Sequence, residues 1–589
     1  MPTSRICNIG ACFTDLIAYG PRMPKPGETV HGTKFSTGFG GKGANQAVQA
    51  ARLGAEVMMI SKVGDDKFGD DTLHNFEQQG VDAQHVTRAT NVASGVAPIT
   101  VDETTGQNSI IIIPGALDTL SAADAEAARA EIRGCCLLMA QLEAPLGATL
   151  AALSVAREEG VTTLLNTAPA RQLPDQIWPL CDIICPNEPE LRELTGLPTG
   201  TEEEVAAAAQ ELLKKGAGKV LVTLGERGCA LFTPGAEPLF ALARAAEARD
   251  TTGAGDSFLG ALAARMAAGA ELREAMAWAN EVAAVSVTRE GTQKSFPTAE
   301  EMLARHAISL IDHTSLGLDD TESVIRNLMD GATANRPHPA AVCIYPKFVK
   351  FARALQRESP DRYGDLRVCT VVNFPGGKEP LDKVVADTRQ AVQDGAHEID
   401  VVIDYNLLKE DEQRGRQAAE ALVRAVRTVC PAGEVLLKVI IESGELSSDT
   451  LIATAAEASI AGGCDFVKTS TGKVKVNATP GAARVMLRAI AAHSRASGPG
   501  ARTIGFKAAG GVRDAAQARE YLELAAEEVL GGADRWREVD SQLLRFGASS
   551  LLSSLRGLCR SGHGEEGVGD EQPCAKRRRT GDADAAAGY

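Results

Sequence analysis

Leu437-Lys438-Val439-Ile440-Ile441, Asp465-Phe466-Val467-Lys468-Thr469 and Gly505-Phe506-Lys507-Ala508-Ala509 are the three runs on which the fold turns. Each is short and apolar, is interrupted by one lysine, and leads toward a stretch with helical spacing. Working outward, the same unit recurs. Candidate strands are Ser309–Asp312, Ala341–Tyr345, Arg367–Val372, Glu398–Ile403, Val435–Ile441, Asp465–Thr469, Thr503–Lys507 and Arg545–Ala548. Eight strand–helix units in about 250 residues predict a closed TIM (β/α)8 barrel. Polar residues sit at or near the C-terminal ends of these strands: Asp312, Asn373, Asp400, Lys438, Lys468 and Lys507. In such a barrel that end is the catalytic face.

The residues before the barrel also alternate strand-like and alanine-rich helical runs, so the whole chain reads as α/β. Arg5–Ile9, Val57–Ser61, Thr162–Asn166 and Lys219–Thr223 read as strands, and Asn45–Leu53 as a helix stopped by Gly54. Runs near Thr29–Phe35 and Val96–Val101 read as an antiparallel, hairpin-like lid. No Gly/Ser- or Pro-rich linker separates the halves near Ser295–Ala304, which predicts a tight junction. The expected domains are 1–299 and 300–558, with 559–589 a disordered tail rich in Gly, Glu, Asp and Ala. The tail's basic run Lys576–Arg579 reads either as solvated charge or as a nuclear address.

Apolar residues make up 44% of the 589 and charged residues 23%, ordinary globular usage. A formal net charge of -16 argues against a nucleic-acid partner. It leaves room for phosphate sites, which are local and built from backbone N–H groups and a few lysines. The 13 cysteines include no C-x-x-C pair, as expected for reduced thiols in the cytoplasm. The first residues lack the pattern of a secretory leader, and no run of about 18 apolar residues predicts a membrane span.

Two glycine-rich motifs enter helices in the first half: Gly40-Gly41-Lys42-Gly43-Ala44-Asn45 and Asp250-Thr251-Thr252-Gly253-Ala254-Gly255-Asp256. In the second, small residues let backbone N–H groups converge at a helix N-terminus, a hole suited to a transferring phosphoryl group. Asp256 is placed to take the proton of an attacking hydroxyl. Either turn alone also reads as a plain strand-to-helix connection. No Walker A pattern occurs. In the barrel, a lysine ending an apolar strand is costly to keep charged, so its pKa is expected to fall. A second lysine on the next strand would push it lower. Lys468 and Lys507 have that arrangement, and a neutral amine forms Schiff bases. Asp400, two strands back, could relay protons. A lone barrel lysine also reads as a structural ion pair. Cys343, read as following a strand, is either a reactive thiol or packing.

Through Gly10–Asp15, Pro26–Thr29, Gly40–Gln46, Gln141–Glu143, Pro186–Glu188, Thr223–Gly225 and Asp250–Ser257, the first half resembles ribokinase, of the PfkB carbohydrate-kinase family. The resemblance implies a three-layer α/β/α domain with a small β lid. It implies that Asp15, Gly41, Lys42, Asn45 and Glu143 bind the sugar, and that Asp256 is the base beside a hole of Gly253, Ala254 and Gly255. It implies ATP along Asn187, Thr223, Gly225 and Asn280, and Mg2+ near Glu190. It implies K+ at a loop of Asp250, Thr252, Ser286, Gly291 and Ser295.

Ile311–Thr314, Val342–Pro346, Asn373–Gly376, Glu398–Val402, Leu437–Glu442, Asp465–Lys473, Gly505–Arg513 and Phe546–Ser550 resemble deoxyribose-phosphate aldolase, a class I aldolase on a TIM barrel. By that resemblance Lys468 forms the Schiff base with no further cofactor. Lys507 tunes it, Asp400 relays protons, and Lys438 and Asp312 support them. Gly472, Lys473, Gly510, Gly511, Gly547, Ser549 and Ser550 grip the substrate's phosphate. Some members end in a tyrosine that reaches the active site, and this chain ends in Tyr589. Both families commonly self-associate, which implies a homo-oligomer, a dimer in the simplest case.

Together the halves imply phosphorylation of 2-deoxyribose or ribose at O5. Retro-aldol cleavage of 2-deoxyribose 5-phosphate then gives glyceraldehyde 3-phosphate and acetaldehyde. Two rivals stand beside this: a ribose-specific kinase merely expressed with an aldolase, and one half serving only as a scaffold.

Overall fold

The computed structural model describes residues 4–446, 448–498 and 502–561. The first half is built on a nine-stranded sheet. Its order is Leu239–Ala241, Cys229–Phe232, Val220–Thr223, Ile183–Cys185, Thr162–Asn166, Leu137–Ala140, Arg5–Ile9, Glu56–Gly64 and Val81–Ala89. The first two pair antiparallel and the other seven run parallel. Successive side chains point to opposite faces, so each strand feeds two apolar layers. Cys7, Ile9, Met58 and Ile60 join one layer, and Ile6, Val57 and Met59 the other. Helices cover both faces, giving the expected α/β/α sandwich.

The lid is a separate four-stranded sheet ordered Lys34–Gly40, Phe13–Gly20, Val96–Asp102 and Asn108–Ile110. The expected antiparallel hairpin is corrected here. Phe13–Gly20, which sequence reasoning missed, lies between the two expected strands and pairs parallel with Val96–Asp102. The first lid strand also begins later than expected, at Lys34.

The second half is a closed barrel of eight parallel strands: Ile311–Thr314, Ala341–Ile344, Arg367–Val372, Glu398–Val402, Leu436–Ile440, Phe466–Lys468, Gly505–Ala509 and Leu544–Ala548. Outward residues such as Ile399, Val401, Leu437 and Val439 pack under the helices. Their neighbours Glu398, Asp400 and Lys438 are fully buried, which on the alternation puts them inside.

Helix Ala299–Ile308 joins the halves and belongs to both. Met302 packs into the first half's core, whereas Leu303, Ala304, Ala307 and Ile308 pack into the barrel's. The expected boundary between 299 and 300 therefore falls inside a helix. The tail also begins later than expected, because Cys559–Ser561 complete helix Leu551–Ser561. The rest of that segment, with Lys576–Arg579 and Tyr589, lies outside the described residues. Among the described residues no helix is long and apolar enough to cross a membrane.

Candidate active sites

In the first half the two glycine-rich turns meet. Gly41 caps helix Lys42–Arg52 at φ 86°, and a Cβ there would stand 2.7 Å from the Ala11 carbonyl oxygen, so only glycine fits. Gly253 caps helix Ala254–Ala267 at φ 76°. Nothing lies within 4 Å of where a Cβ on Gly255 would sit, so the helix start faces open space. Asp256 is buried at that start. Its Oδ2 accepts from Asn45 Nδ2 at 3.0 Å and its Oδ1 from Gln46 Nε2 at 2.9 Å. Both donors lie in the helix opened by the other turn, so the two motifs aim one carboxylate.

Gln46 was missed by sequence reasoning, although it lies in the quoted motif beside Asn45. It also donates to Asn166 at 3.1 Å and accepts from Gln141 at 2.7 Å. The Glu143 carboxylate accepts from the Lys42 backbone N–H at 2.7 Å. Burial pushes Glu143 up to about 7 and Asp15 up to about 6. Burial opposes the Lys42 charge, but Asp256, Glu143 and Glu190 around it hold its ammonium above the ordinary value.

Asn187 and Glu190 form a capping box at helix Glu188–Thr195, each side chain accepting from the other's backbone N–H. Asn187 also bridges to Thr223, and Gly225 turns the chain just beyond at φ 59°. The buried Asn280 instead donates to the Ala241 carbonyl at 2.9 Å, holding the sheet's edge. Asp250 joins the two parts of the proposed cation loop, accepting from Thr252 N and Gly291 N, both at 2.9 Å. Ser286 and Ser295 turn their hydroxyls onto backbone carbonyls. The set is all oxygen, which suits a hard cation, and Glu190 lies close enough to Lys42 to help hold its ammonium charged.

The barrel interior holds a charge cluster. Lys468 Nζ donates to Asp400 Oδ2 at 2.7 Å, and Lys507 Nζ to the same oxygen at 2.9 Å. Lys438 Nζ donates to Asp400 Oδ1 at 3.0 Å and to Glu398, and lies 3.3 Å from Asp312. Lys507 also pairs with Asp312. Arg545 donates to Asp312 at 2.7 Å and reaches Glu398 at 3.4 Å. The strands place these groups in cross-strand register, with Asp400 beside Lys438, and Lys468 beside Lys507.

The expectation of an apolar surround is corrected. Burial works against the Lys507 charge, but Asp312 and Asp400 win and hold its ammonium above the ordinary lysine range. Lys438 is raised in the same way by Asp312, Asp400 and Glu398. Burial alone would raise Asp400, yet Lys438, Lys468 and Lys507 hold its carboxyl well below the usual range. Lys468 differs from its neighbours. Its ammonium has one carboxylate partner, Asp400, and its side chain keeps 5% exposure where Lys438 and Lys507 keep none. Glu398 and Arg545 were missed as members of this cluster.

Above the cluster, Gly472 (φ 78°), Gly510 (φ 75°) and Gly511 (φ 93°) turn the loops, and the Gly510 N–H donates to the Gly547 carbonyl at 3.1 Å. That bond brings two of the expected phosphate loops together. Ser549 and Ser550 are exposed immediately before helix Leu551–Ser561. Lys473 Nζ reaches the Leu316 carbonyl at 2.8 Å. The Ser470 and Ser443 hydroxyls are buried without a hydrogen-bond partner among the described residues, polar capacity left unused beside Lys468. Asn373 ties loops together, donating to Val402 O at 2.8 Å and accepting from Glu379 N at 2.9 Å. Cys343 lies within its strand, not after it, and is fully buried in an apolar patch with Leu316, Cys369 and Val371.

Comparison with known proteins matches the two halves separately. Residues 3–299 match the pfkB family of carbohydrate kinases, and residues 306–556 match the DeoC/LacD aldolase family. The chain belongs to the pfkB family through its first half and carries a DeoC/LacD-family aldolase as its second. A deoxyribokinase of Salmonella typhi is 42% identical over 300 residues, which cover 50% of this chain and 96% of the relative. A ribokinase of Mus musculus is also 42% identical, over 299 residues covering 50% of this chain and 92% of the relative. A Toxoplasma gondii protein, described as a candidate deoxyribose-phosphate aldolase, is similar to the barrel half at 27% identity. It covers 44% of this chain and 97% of its own, with a TM-score of 0.40.

Proposed function

We propose a bifunctional sugar enzyme: a (deoxy)ribose kinase and a deoxyribose-phosphate aldolase on one chain. The kinase half moves the γ-phosphoryl group of ATP to O5 of the sugar. The hydroxyl proton passes to Asp256, the new P–O bond forms at O5, and ADP leaves. Asp15, Gly41, Lys42, Asn45 and Glu143 hold the sugar. Gly253, Ala254 and Gly255 present backbone N–H groups to the transferring group. ATP lies along Asn187, Thr223, Gly225 and Asn280. Glu190 would hold Mg2+ with the phosphates, and Asp250, Thr252, Ser286, Gly291 and Ser295 would hold K+. Bound there, the cations neutralise phosphate charge and order the loop. The observation that carries this half is the buried Asp256 carboxylate, aimed from both sides by Asn45 and Gln46.

In the barrel, the Lys468 amine attacks C1 of open-chain 2-deoxyribose 5-phosphate and water leaves, giving a protonated Schiff base. The C2–C3 bond then breaks. Its electron pair moves to C2 as an enamine, and the C3 hydroxyl loses its proton and becomes the aldehyde of glyceraldehyde 3-phosphate. Protonation at C2 and hydrolysis release acetaldehyde and restore Lys468. Asp400 relays the protons, and Lys507 and Lys438 keep it ionised. Gly472, Lys473, Gly510, Gly511, Gly547, Ser549 and Ser550 hold the phosphate. The observation that carries this half is Lys468 at the end of its strand, with Asp400 as its one carboxylate partner and Lys507 bonded to the same Asp400 oxygen.

The 42% likeness to both a deoxyribokinase and a ribokinase supports either sugar for the kinase. The aldolase requires the 2-deoxy sugar. A one-pot assay with ATP, magnesium, potassium and either pentose, reading ADP and acetaldehyde separately, tests the whole. ADP and acetaldehyde together from 2-deoxyribose are expected, and Lys468→Ala should abolish acetaldehyde and leave ADP release within about twofold. Acetaldehyde still released by Lys468→Ala would remove Lys468 from its role. ADP from ribose alone would leave two enzymes without a common substrate.

A further inference from the structure

The two halves meet at the end of the barrel opposite the loops that follow Lys468. On the kinase side the joint uses the far end of helix Ala254–Ala267. Asp256 opens that helix, and Arg265, nine residues on and roughly 14 Å away at 1.5 Å per residue, closes it. Arg265 pairs with Glu274. Trp278, one turn along the next helix, Leu272–Ser286, lies 4.9 Å from the Arg537 guanidinium. Arg537 belongs to the barrel and is stacked on Trp536 as well, at 4.3 Å.

On the barrel side, the segment Ala533–Glu538 leads into the start of strand Leu544–Ala548, and helix Ala299–Ile308 leads into the start of strand Ile311–Thr314. Both therefore lie at the N-terminal end of the barrel. His306 seals this end, packing edge-on against Trp536 at 5.8 Å and bonding to the Val539 carbonyl at 3.0 Å. Lys468 ends its strand, and the loops of Gly472, Gly510, Gly511, Ser549 and Ser550 follow their strands, so the reaction site opens at the opposite end.

We infer that the halves are joined back to back, so that the sugar phosphate made by the kinase enters bulk solvent before the barrel takes it up. This rests on the functional reading above. Among the described residues the joint is packed by Met302, Trp536, His306 and the buried Arg289–Glu301 pair, and the proposed aldolase site opens away from it.

Isotope dilution tests it on the full chain. The enzyme receives ATP, 2-deoxyribose labelled at C1, and an excess of unlabelled 2-deoxyribose 5-phosphate. Acetaldehyde, which carries C1, is collected together with the free sugar phosphate during the first turnovers. The expected result is acetaldehyde of the same specific radioactivity as the free pool, with a lag in its labelling that lengthens as the pool is enlarged. Acetaldehyde several-fold hotter than the pool, without a lag, would overturn the inference while leaving both activities standing. ADP release from 2-deoxyribose alone, and acetaldehyde from the supplied phosphate alone, are measured alongside. Loss of either would overturn the functional reading and this inference with it.

Discussion

At the proposed sugar site, two carboxylates sit where burial makes ionisation costly, and their proton affinities become a handle on binding. Glu143 is pushed up to about 7 and Asp15 up to about 6. Both titrate upward from the ordinary range, so each gains a proton as the pH falls through its raised value. A protonated carboxyl accepts fewer hydroxyl hydrogen bonds. The kinase kcat/KM for the sugar should fall roughly tenfold or more between pH 8 and pH 5.5, chiefly through KM. A flat profile over that range, measured at saturating ATP, would detach these carboxylates from sugar binding. Asp256, Lys468 and Asp400 were legible in the sequence because each stands in a motif whose chemistry is local. Gln46, Glu398 and Arg545 were not. Their partners lie across the fold, 210 residues away for Gln46 and Asp256, and 147 for Arg545 and Glu398. The expectation of an apolar surround for the barrel lysines failed for the same reason. An apolar run says nothing of the carboxylates that barrel closure brings to face it.

Among the elements, the barrel strands were the most readable, because each is a short apolar run between helical stretches. Strand Arg367–Val372 matches its expectation at both ends, and the others shift by one or two residues. The lid was harder. Phe13–Gly20 carries no alternation that separates it from the preceding strand, and its pairing is decided by Gly10–Cys12, where the chain leaves the main sheet. One barrel strand shows how tightly the interior is fitted. A Cβ on Gly505 would lie 2.2 Å from the Phe466 ring and 2.5 Å from the Gln542 carbonyl oxygen. The second neighbour is backbone and cannot step aside. Gly505→Ala should therefore destabilise the barrel by about 1–3 kcal/mol, read as a lower denaturant midpoint for aldolase loss. An unchanged midpoint would show that both the ring and the backbone carbonyl give way.

The whole molecule is held together by a helix that neither half owns. Arg289, from the kinase half, pairs with Glu301, which is 2% exposed, and also donates to the Ser295 carbonyl at 3.3 Å. Arg305, one turn on, lies 3.7 Å from the same carboxylate. Glu301→Ala leaves Arg289 buried without its anion, a loss of about 3–5 kcal/mol for pairs of this kind. The expected outcome is that the kinase and aldolase activities, lost at one temperature in the parent, are lost at two. Coincident loss in the variant would show that the joint does not couple the halves. Helix Ala299–Ile308 also bears on ancestry and on engineering. A chain assembled from two ready-made enzymes usually keeps a seam at which either part can be exchanged. Here the seam has been absorbed into a shared packing unit, so any replacement kinase or aldolase would have to bring a helix that satisfies two cores at once. The partners are thus bound to drift together, and a recombinant that swaps one of them at residue 299 inherits half of someone else's foundation.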